Sequence, residues 1–264
     1  MKSRVLVSVI GVPFLLYVVL WAPEAVMIIG LALLCCIGAF ELMRCIGASA
    51  GYMIVTSLVS AGVLWCVADA QWAVAWCVCG YVLLSFLWAI LSHRSFRFEH
   101  LMGGFFAVVA LPYAFSAFLR MWAAGFHRGF LLLPFLFSFM SDTCAFFAGH
   151  AFGRHKLAPR VSPKKTVEGA IGGLAGNAVG GLIFAFVMNT WFGETIPYGE
   201  IALLGVMCSV IAQIGDLSFS YIKREFEIKD YGHIFLEHGG VLDRFDSVIF
   251  VAPTLSLLLI QLYA

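Results

Sequence analysis

The sequence contains few charged residues: aspartate, glutamate, lysine and arginine together make up 12% of its 264 residues. Hydrophobic residues make up 62%, and the mean hydropathy is +0.98. A water-soluble domain needs a polar surface that this composition cannot supply. The composition therefore excludes a soluble domain, and no nucleic acid is expected among the partners.

Two further patterns are absent. The eight cysteines include no paired Cys-x-x-Cys sets and lie mostly inside apolar runs, so neither disulfides nor a zinc site are expected. The apolar runs are continuous rather than alternating, which excludes a transmembrane β-barrel. The fold class that remains is all-α, a polytopic integral membrane protein.

The apolar runs predict about nine transmembrane helices, because a helix rises about 1.5 Å per residue and needs roughly 20 residues to cross a bilayer. The weakest division is Pro23-Glu24, which separates the first two runs. The first run lacks a convincing cleavage site, which favours a retained span over a signal peptide. The predicted spans are residues 5–22, 25–43, 51–68, 72–92, 101–119, 129–149, 167–188, 200–222 and 247–263.

The basic residues predict the orientation. Placing the amino terminus in the cytoplasm puts all sixteen lysines and arginines except Arg120 and Arg128 in cytoplasmic segments, as the positive-inside rule requires. Two charge-rich loops, residues 150–166 and 223–246, then face the cytoplasm. Nucleoside triphosphates are available on that side of the membrane.

The stretch from Gly215 to Ser247 carries the highest density of charge. Its acidic residues suit a hard divalent cation such as Mg²⁺, which prefers carboxylate and phosphate oxygens. Asp243 and Asp246 are three residues apart, so on a helix both carboxylates project from one face. Gly239-Gly240 permits close approach of a phosphate, and a helix that begins there would direct its N–H groups at the anion.

A second polar stretch precedes the seventh predicted span. Ser162-Pro163 is typical of a turn, and Lys164-Lys165 presents two ammonium groups suited to a triphosphate or an anionic lipid headgroup. Thr166 could cap the following helix. From spacing alone, a juxtamembrane basic patch explains these lysines equally well.

Asp142 and Asp216 are carboxylates inside predicted spans, where such a group is costly unless it faces a partner or a wet cavity. Asp142 lies near the cytoplasmic end of the sixth span, and Asp216 lies toward that of the eighth. We interpret Asp216 as a metal ligand together with the two aspartates described above. The alternative is a structural ion pair with Lys223 or Arg224.

The seventh span is rich in glycine. Such spacing allows two helices to approach closely, and a hinge is the alternative. The glycines are Gly172, Gly173, Gly176, Gly180 and Gly181.

These polar stretches resemble the phosphatidate cytidylyltransferase (CDP-diacylglycerol synthase) family. That family carries Asp-x-x-Ala-Tyr-x-x-Gly and Ser-Pro-Lys-Lys-Thr-x-Glu-Gly, then Ser-x-x-Lys-Arg, Lys-Asp and His-Gly-Gly-x-x-Asp-Arg-x-Asp. The resemblance covers about residues 142–247, and the first 140 residues match only as hydrophobic spans. The matching positions are Asp142, Ala145, Gly149, Ser162, Pro163, Lys164, Lys165, Thr166, Glu168, Gly169, Ser220, Lys223, Arg224, Lys229, Asp230, His238, Gly239, Gly240, Asp243, Arg244 and Asp246.

The resemblance implies transfer of CMP from CTP to phosphatidic acid, which gives CDP-diacylglycerol and pyrophosphate. Mg²⁺ is the implied cofactor, with a second cation as an option. The chain would lie in a bacterial-type cytoplasmic (inner) membrane with its site facing the cytoplasm. Residues 1–128 would form a scaffold, a lipid-cavity wall or a homodimer interface, and residues 129–264 the catalytic region.

The implied site residues fall into three groups. The catalytic residues are Asp216, Asp243, Asp246, Lys223, Arg224 and His238, and the first three of these would also bind the metal. His238 could bind phosphate, shuttle a proton or only stabilise its loop. The substrate-binding residues are Asp142, Ser162, Lys164, Lys165, Thr166, Ser220, Lys229, Gly239, Gly240 and Arg244.

Two other functions remain open. One is another CTP-dependent lipid enzyme, such as a polyprenol kinase or an archaeal-lipid cytidylyltransferase. The other is an ion-coupled transporter that uses Asp142 and Asp216 as coupling sites. Transporters often contain repeated halves, whereas the charge here lies in one half and no internal repeat is visible, which argues against transport.

The metal hypothesis predicts that Asp243→Asn or Asp246→Asn abolishes turnover while membrane insertion stays intact, because asparagine keeps the size of the side chain but loses its charge. Turnover with labelled CTP and the yield of membrane-inserted protein are the two measurements. Unimpaired turnover in both variants would refute the assignment of these acids to a metal.

Overall fold

The structure, a computed structural model, describes residues 11, 13–92, 96–232, 234 and 239–263. Among these residues, eight helical segments are long and apolar enough to cross a membrane. A π-helical turn spans Phe106–Ala110, and a 3-10 turn spans Arg128–Leu132. The helices are residues 13–20 (α1), Glu24–Cys45 (α2), Ala50–Asp69 (α3), Gln71–Leu91 (α4), Phe98–Phe105 (α5), Leu111–Ala123 (α6), Leu133–Phe152 (α7), Val167–Trp191 (α8), Tyr198–Glu225 (α9) and Leu242–Tyr263 (α10).

These helices confirm the all-α membrane fold and eight of the predicted spans. The last span was predicted from residue 247 but begins at Leu242, so α10 carries two of the three aspartates of the predicted metal site, Asp243 and Asp246, in its first two turns. The predicted span 5–22 lies partly outside the described residues, so the count of nine stays a prediction. Pro23 separates α1 from α2 and directly precedes α2. Helix α1 ends before this proline because the residue that precedes a proline is disfavoured in a helical conformation.

A short β-hairpin lies between α7 and α8. Its strands, Lys156–Ala158 (β1) and Ser162–Thr166 (β2), pair antiparallel. The turn lies at residues 159–161, so the prediction of a turn at Ser162-Pro163 was wrong. Pro163 is accommodated in β2 because both strands of a two-stranded ribbon are edge strands, where a missing N–H need not face a partner.

The chain forms two compact units. The first contains Met1–Ala123 and Glu225–Phe245, and the second contains Ala124–Arg224 and Asp246–Ala264. This division differs from the predicted boundary at residue 128, because the charged segment that precedes α10 groups with the amino-terminal helices. The assignment of the amino-terminal spans to a scaffold stays a prediction.

In the first unit, a buried polar network links α3 to α4. The Tyr52 hydroxyl donates to Ser85 Oγ at 3.1 Å, and the Tyr81 hydroxyl donates to Tyr52 at 2.9 Å. Thr56 Oγ1 lies 2.9 Å from the same Tyr81 hydroxyl. These hydroxyls therefore satisfy one another inside an otherwise apolar region, as buried polar groups must.

In the second unit, glycines bring helix backbones into contact. A Cβ atom on Gly172 of α8 would clash with Ala148 of α7, and one on Gly181 would lie 2.7 Å from the Ile201 carbonyl oxygen of α9. Small residues allow this approach because they leave no side chain between the helices. The close packing predicted for the seventh span is confirmed.

Gly205 of α9 provides a test of this packing, because a Cβ there would clash with the Asn177 backbone carbonyl, which cannot rotate away. We expect Gly205→Ala to lower the free energy of unfolding by about 1–3 kcal/mol. Gly199→Ala in the same helix is the control, since nothing lies within 4 Å of its added carbon, and it should stay within about 0.5 kcal/mol. Thermal unfolding in detergent measures both; equal stability of the two variants would contradict the packing.

Candidate active site

A cavity of about 500 Å³ lies in the second unit, bounded by α7, α8, α9 and the hairpin. Its lining brings together acids from two spans and the lysines of the hairpin, which the sequence analysis had predicted separately. Five predicted site residues line it, namely Asp142, Lys164, Lys165, Thr166 and Asp216. The lining also includes Phe146, Gly149, His150, Gly153, Lys156 and Gln213.

An ion pair lies in the cavity wall, between Lys165 Nζ and Asp216 Oδ2. Both side chains are partly accessible, at 25% and 21% exposure, so an incoming ligand can reach them. Ser220 donates its hydroxyl to the other oxygen of Asp216 at 3.3 Å. Asp216 thus pairs with a hairpin lysine, rather than with Lys223 or Arg224 as the alternative interpretation proposed.

The start of α8 fixes the position of the hairpin lysines. Thr166 Oγ1 accepts a hydrogen bond from the Gly169 N–H at 3.1 Å, which confirms the predicted helix cap. A Cβ on Gly169 would lie 2.7 Å from the Ala145 carbonyl oxygen, so α7 and α8 are in contact beside the cap. Asp142 and Thr166 therefore reach the cavity from adjacent helix surfaces.

Glu168 fastens the other end of the hairpin to the same helix turn. Its carboxylate accepts the backbone N–H groups of Arg154 and His155 at 3.0 and 3.2 Å. Its Oε1 lies 2.6 Å from His155 Nδ1. The family motif includes this glutamate, but sequence reasoning gave it no role. Its partners, Arg154 and His155, precede the hairpin, and only the folded hairpin brings them close to Glu168.

Asp246, in the second turn of α10, is 9% exposed, and its Oδ1 accepts the following backbone N–H at 2.7 Å. It interacts electrostatically with Asp216, Asp142 and Lys223. Gly215 permits this proximity, because a Cβ there would lie 3.0 Å from the Asp246 carbonyl oxygen. Three carboxylates in one neighbourhood form a negative site that a cation would neutralise.

The carboxylates fit Mg²⁺ by their chemistry, since all are hard oxygen donors. In the part of the chain that the structure describes, no three His, Cys, Asp or Glu residues converge into a ready ligand set. Mg²⁺ commonly takes only one or two protein carboxylates and completes its shell with water and substrate phosphates. The residues therefore fit an ion that binds together with a nucleotide, and the metal assignment of Asp216, Asp243 and Asp246 stays a prediction.

Asp243 belongs to the first unit and caps the segment that precedes α10. Its Oδ2 accepts the backbone N–H groups of Tyr231 and Gly240 at 2.8 and 2.9 Å. Gly239 has a φ of 84°, a conformation that favours glycine. The N–H of Gly240 thus bonds to a carboxylate of the protein instead of being directed at a phosphate.

Glu41 of α2 takes the next two N–H groups. This carboxylate is 2% exposed, and it accepts the N–H of Val241 at 3.0 Å and that of Leu242 at 2.9 Å. Sequence reasoning assigned no role to Glu41. Its partner could not be identified because Val241 lies 200 residues away in the chain.

The remaining predicted residues lie in several places. Arg224 Nε donates to the Val161 carbonyl oxygen of the hairpin turn at 3.5 Å. His238 lies outside the described residues, so its role stays a prediction. Ser162 and Lys223 belong to the second unit outside the cavity lining, and Lys229, Gly239, Gly240 and Arg244 belong to the first.

A profile of the cytidylyltransferase family matches residues 2–262. This chain belongs to that family. The phosphatidate cytidylyltransferase of Staphylococcus saprophyticus is 38% identical over 185 residues, which cover 69% of this chain and 67% of that protein. The enzyme of the same name from Staphylococcus aureus is 39% identical over 190 residues, covering 69% and 66%. That of Staphylococcus epidermidis is 36% identical over 192 residues, covering 69% of each.

The family relationship that the motifs indicated is confirmed, and the match extends over nearly the whole chain. It agrees with a cavity that combines ammonium groups with carboxylates, as a nucleoside triphosphate and its cation require. The hairpin, the start of α8 and the middle of α9 together position these groups.

Lys165 is predicted to bind a phosphate of the nucleotide. Because a hydrogen bond to a charged group contributes about 1.5–3 kcal/mol, we expect Lys165→Gln to weaken CTP binding at least about tenfold. Arg160→Gln is the matched control: it removes a positive charge from the same hairpin, at an exposed turn residue outside the cavity lining. Calorimetric titration with CTP measures both; equal losses would mean that Lys165 acts only through net charge.

Proposed function

We propose that this chain is a phosphatidate cytidylyltransferase, which transfers CMP from CTP to phosphatidate and releases pyrophosphate. The observation that carries this proposal is the convergence of Lys164, Lys165, Asp142 and Asp216 on one cavity between membrane-spanning helices. The names of the staphylococcal relatives support the same substrates.

The reaction needs no covalent intermediate. The phosphate monoester of the lipid is largely deprotonated at neutral pH, because its second pKa is about 6. One of its oxygens attacks the α-phosphorus of CTP and forms a new P–O bond. The bond from that phosphorus to the bridging oxygen breaks, and pyrophosphate leaves with the electron pair. The protein therefore has to position the reactants and neutralise their charge.

The residues of the cavity can divide this work between them. Lys164 and Lys165 bind phosphate oxygens, and Lys165 exchanges its carboxylate partner for the nucleotide. Asp216 then becomes available, with Asp142 and Asp246, to hold Mg²⁺, and Asp243 is the further ligand that the sequence predicts. Mg²⁺ would neutralise charge on the triphosphate, and a second cation would serve the same purpose.

We also propose that the cavity faces the cytoplasm of a bacterial inner membrane. The distribution of lysine and arginine supports this orientation, and the bacterial sources of the relatives support the type of membrane. The diacyl tails would enter laterally from the cytoplasmic leaflet. A homodimer formed through the amino-terminal spans is a further prediction.

The experiment uses purified protein in detergent with phosphatidate, Mg²⁺ and CTP labelled in turn at the α and γ phosphates. We expect the α label in lipid and the γ label in pyrophosphate, because the α–β bond is broken. A γ label in lipid would indicate a CTP-dependent lipid kinase instead.

The Asp246→Asn variant, purified in the same way, is the control for a contaminating host enzyme. Its lipid product should fall to background while its yield stays unchanged. If neither label reaches lipid with the wild-type protein, the proposed function is refuted.

A further inference from the structure

Glu41 is a carboxylate in the interior of the first unit, although burial of such a group inside a membrane span is costly. Its Oε1 accepts the N–H of Val241 and its Oε2 the N–H of Leu242. Both oxygens are therefore engaged by the start of α10. A carboxylate at a helix N-terminus is favoured by the helix dipole and by the N–H groups that the helix itself leaves unsatisfied.

Two glycines close around this carboxylate. A Cβ on Gly232 or Gly240 would clash with the Glu41 side chain. Neither glycine has a positive φ, so backbone conformation does not require glycine at these positions. The space that the Glu41 carboxylate occupies explains why both residues are glycine.

A second residue of α2 holds the other end of the same segment. Arg44 Nη2 donates to the Tyr231 carbonyl oxygen at 2.8 Å. Tyr231 in turn donates its N–H to Asp243 Oδ2 at 2.8 Å. Tyr231 and the start of α10 are thus both hydrogen-bonded to α2, and Asp243 is hydrogen-bonded to Tyr231.

We infer that Glu41 is a positioning residue for the proposed reaction: it fixes the start of α10 and thereby the carboxylate of Asp243. This inference rests on the proposed function. The first backbone N–H groups of α10 set where its first turn lies, and Asp246 follows one turn later on the same helix. The hydrogen bonds of Glu41 to the described part of this segment are accepted from backbone N–H groups, so Glu41 acts through Asp243 and not on a reactant.

The test compares Glu41→Gln with Glu24→Gln, an exposed glutamate at the other end of the same helix. Glutamine can accept one of the two N–H groups but offers an NH₂ to the other. We expect kcat to fall about 10–100-fold, as for other groups that support metal ligands, and more Mg²⁺ to be needed for half-maximal activity. The KM for phosphatidate should change little, and Glu24→Gln should match the wild type in each respect.

Hydrogen exchange provides a readout that does not depend on activity. In the wild-type protein without nucleotide, the N–H groups of Val241 and Leu242 should be protected by Glu41. Their exchange should accelerate in Glu41→Gln and stay unchanged in Glu24→Gln. Unchanged protection in Glu41→Gln would overturn the inference.

A double-mutant cycle separates positioning from a general loss of stability. Gly240→Ala should impair kcat because its methyl group displaces the Glu41 carboxylate. In a Glu41→Ala background the space is vacant, so the same methyl group should cost little more, and the two defects should not add. Additive defects would overturn the inference.

Two further outcomes distinguish a purely structural role of Glu41 from a failure of the proposed function. Normal kcat and Mg²⁺ dependence per folded molecule in Glu41→Gln, even with a lower yield, would show a structural role alone and overturn the inference. Absence of CDP-diacylglycerol synthesis by the wild-type protein would instead refute the proposed function, so the two failures are distinguishable.

Discussion

The cost of an unpartnered charge inside a membrane is the constraint on which the rest of this structure depends. Asp216 meets it through Lys165, and Glu41 meets it through two backbone N–H groups. A partly buried ion pair contributes little net stability, because desolvation offsets much of the attraction. Such a pair can therefore exchange partners when a ligand of stronger charge arrives, which suits a site that must admit a triphosphate and its cation.

The same constraint applies to the backbone at helix ends, where the first N–H groups have no partner within the helix. At α8 the partner is local, since Thr166 caps the helix with its own side chain. At α10 the partner is the carboxylate of Glu41, which is distant in sequence and accepts the N–H groups of Val241 and Leu242, while Asp243 accepts that of Gly240 just before the helix. Each helix start thus fixes functional residues, the hairpin lysines in one unit and Asp243 in the other.

Local patterns predicted much of this arrangement. Continuous hydropathy predicted the spans, Thr166 was recognisable as a cap, motif spacing identified Asp142 and the hairpin lysines, and the cost of a carboxylate inside a span identified Asp216. Local patterns could not predict contacts between residues that are distant in sequence. The partner of Asp216 is on the hairpin, and that of Glu41 lies 200 residues away. The misplaced turn has a local cause, because Pro159 and Pro163 are both compatible with a turn and only strand pairing distinguishes them.

The fit of Gly232 and Gly240 around Glu41 has a consequence for the evolution of this family. A larger side chain at either glycine would displace the Glu41 carboxylate from its hydrogen bonds unless residue 41 becomes shorter. Positions 41, 232 and 240 should therefore covary among homologues, although they are far apart in sequence. A chimaera that joins the amino-terminal helices of one homologue to the carboxyl-terminal half of another would have to inherit all three positions from the same parent.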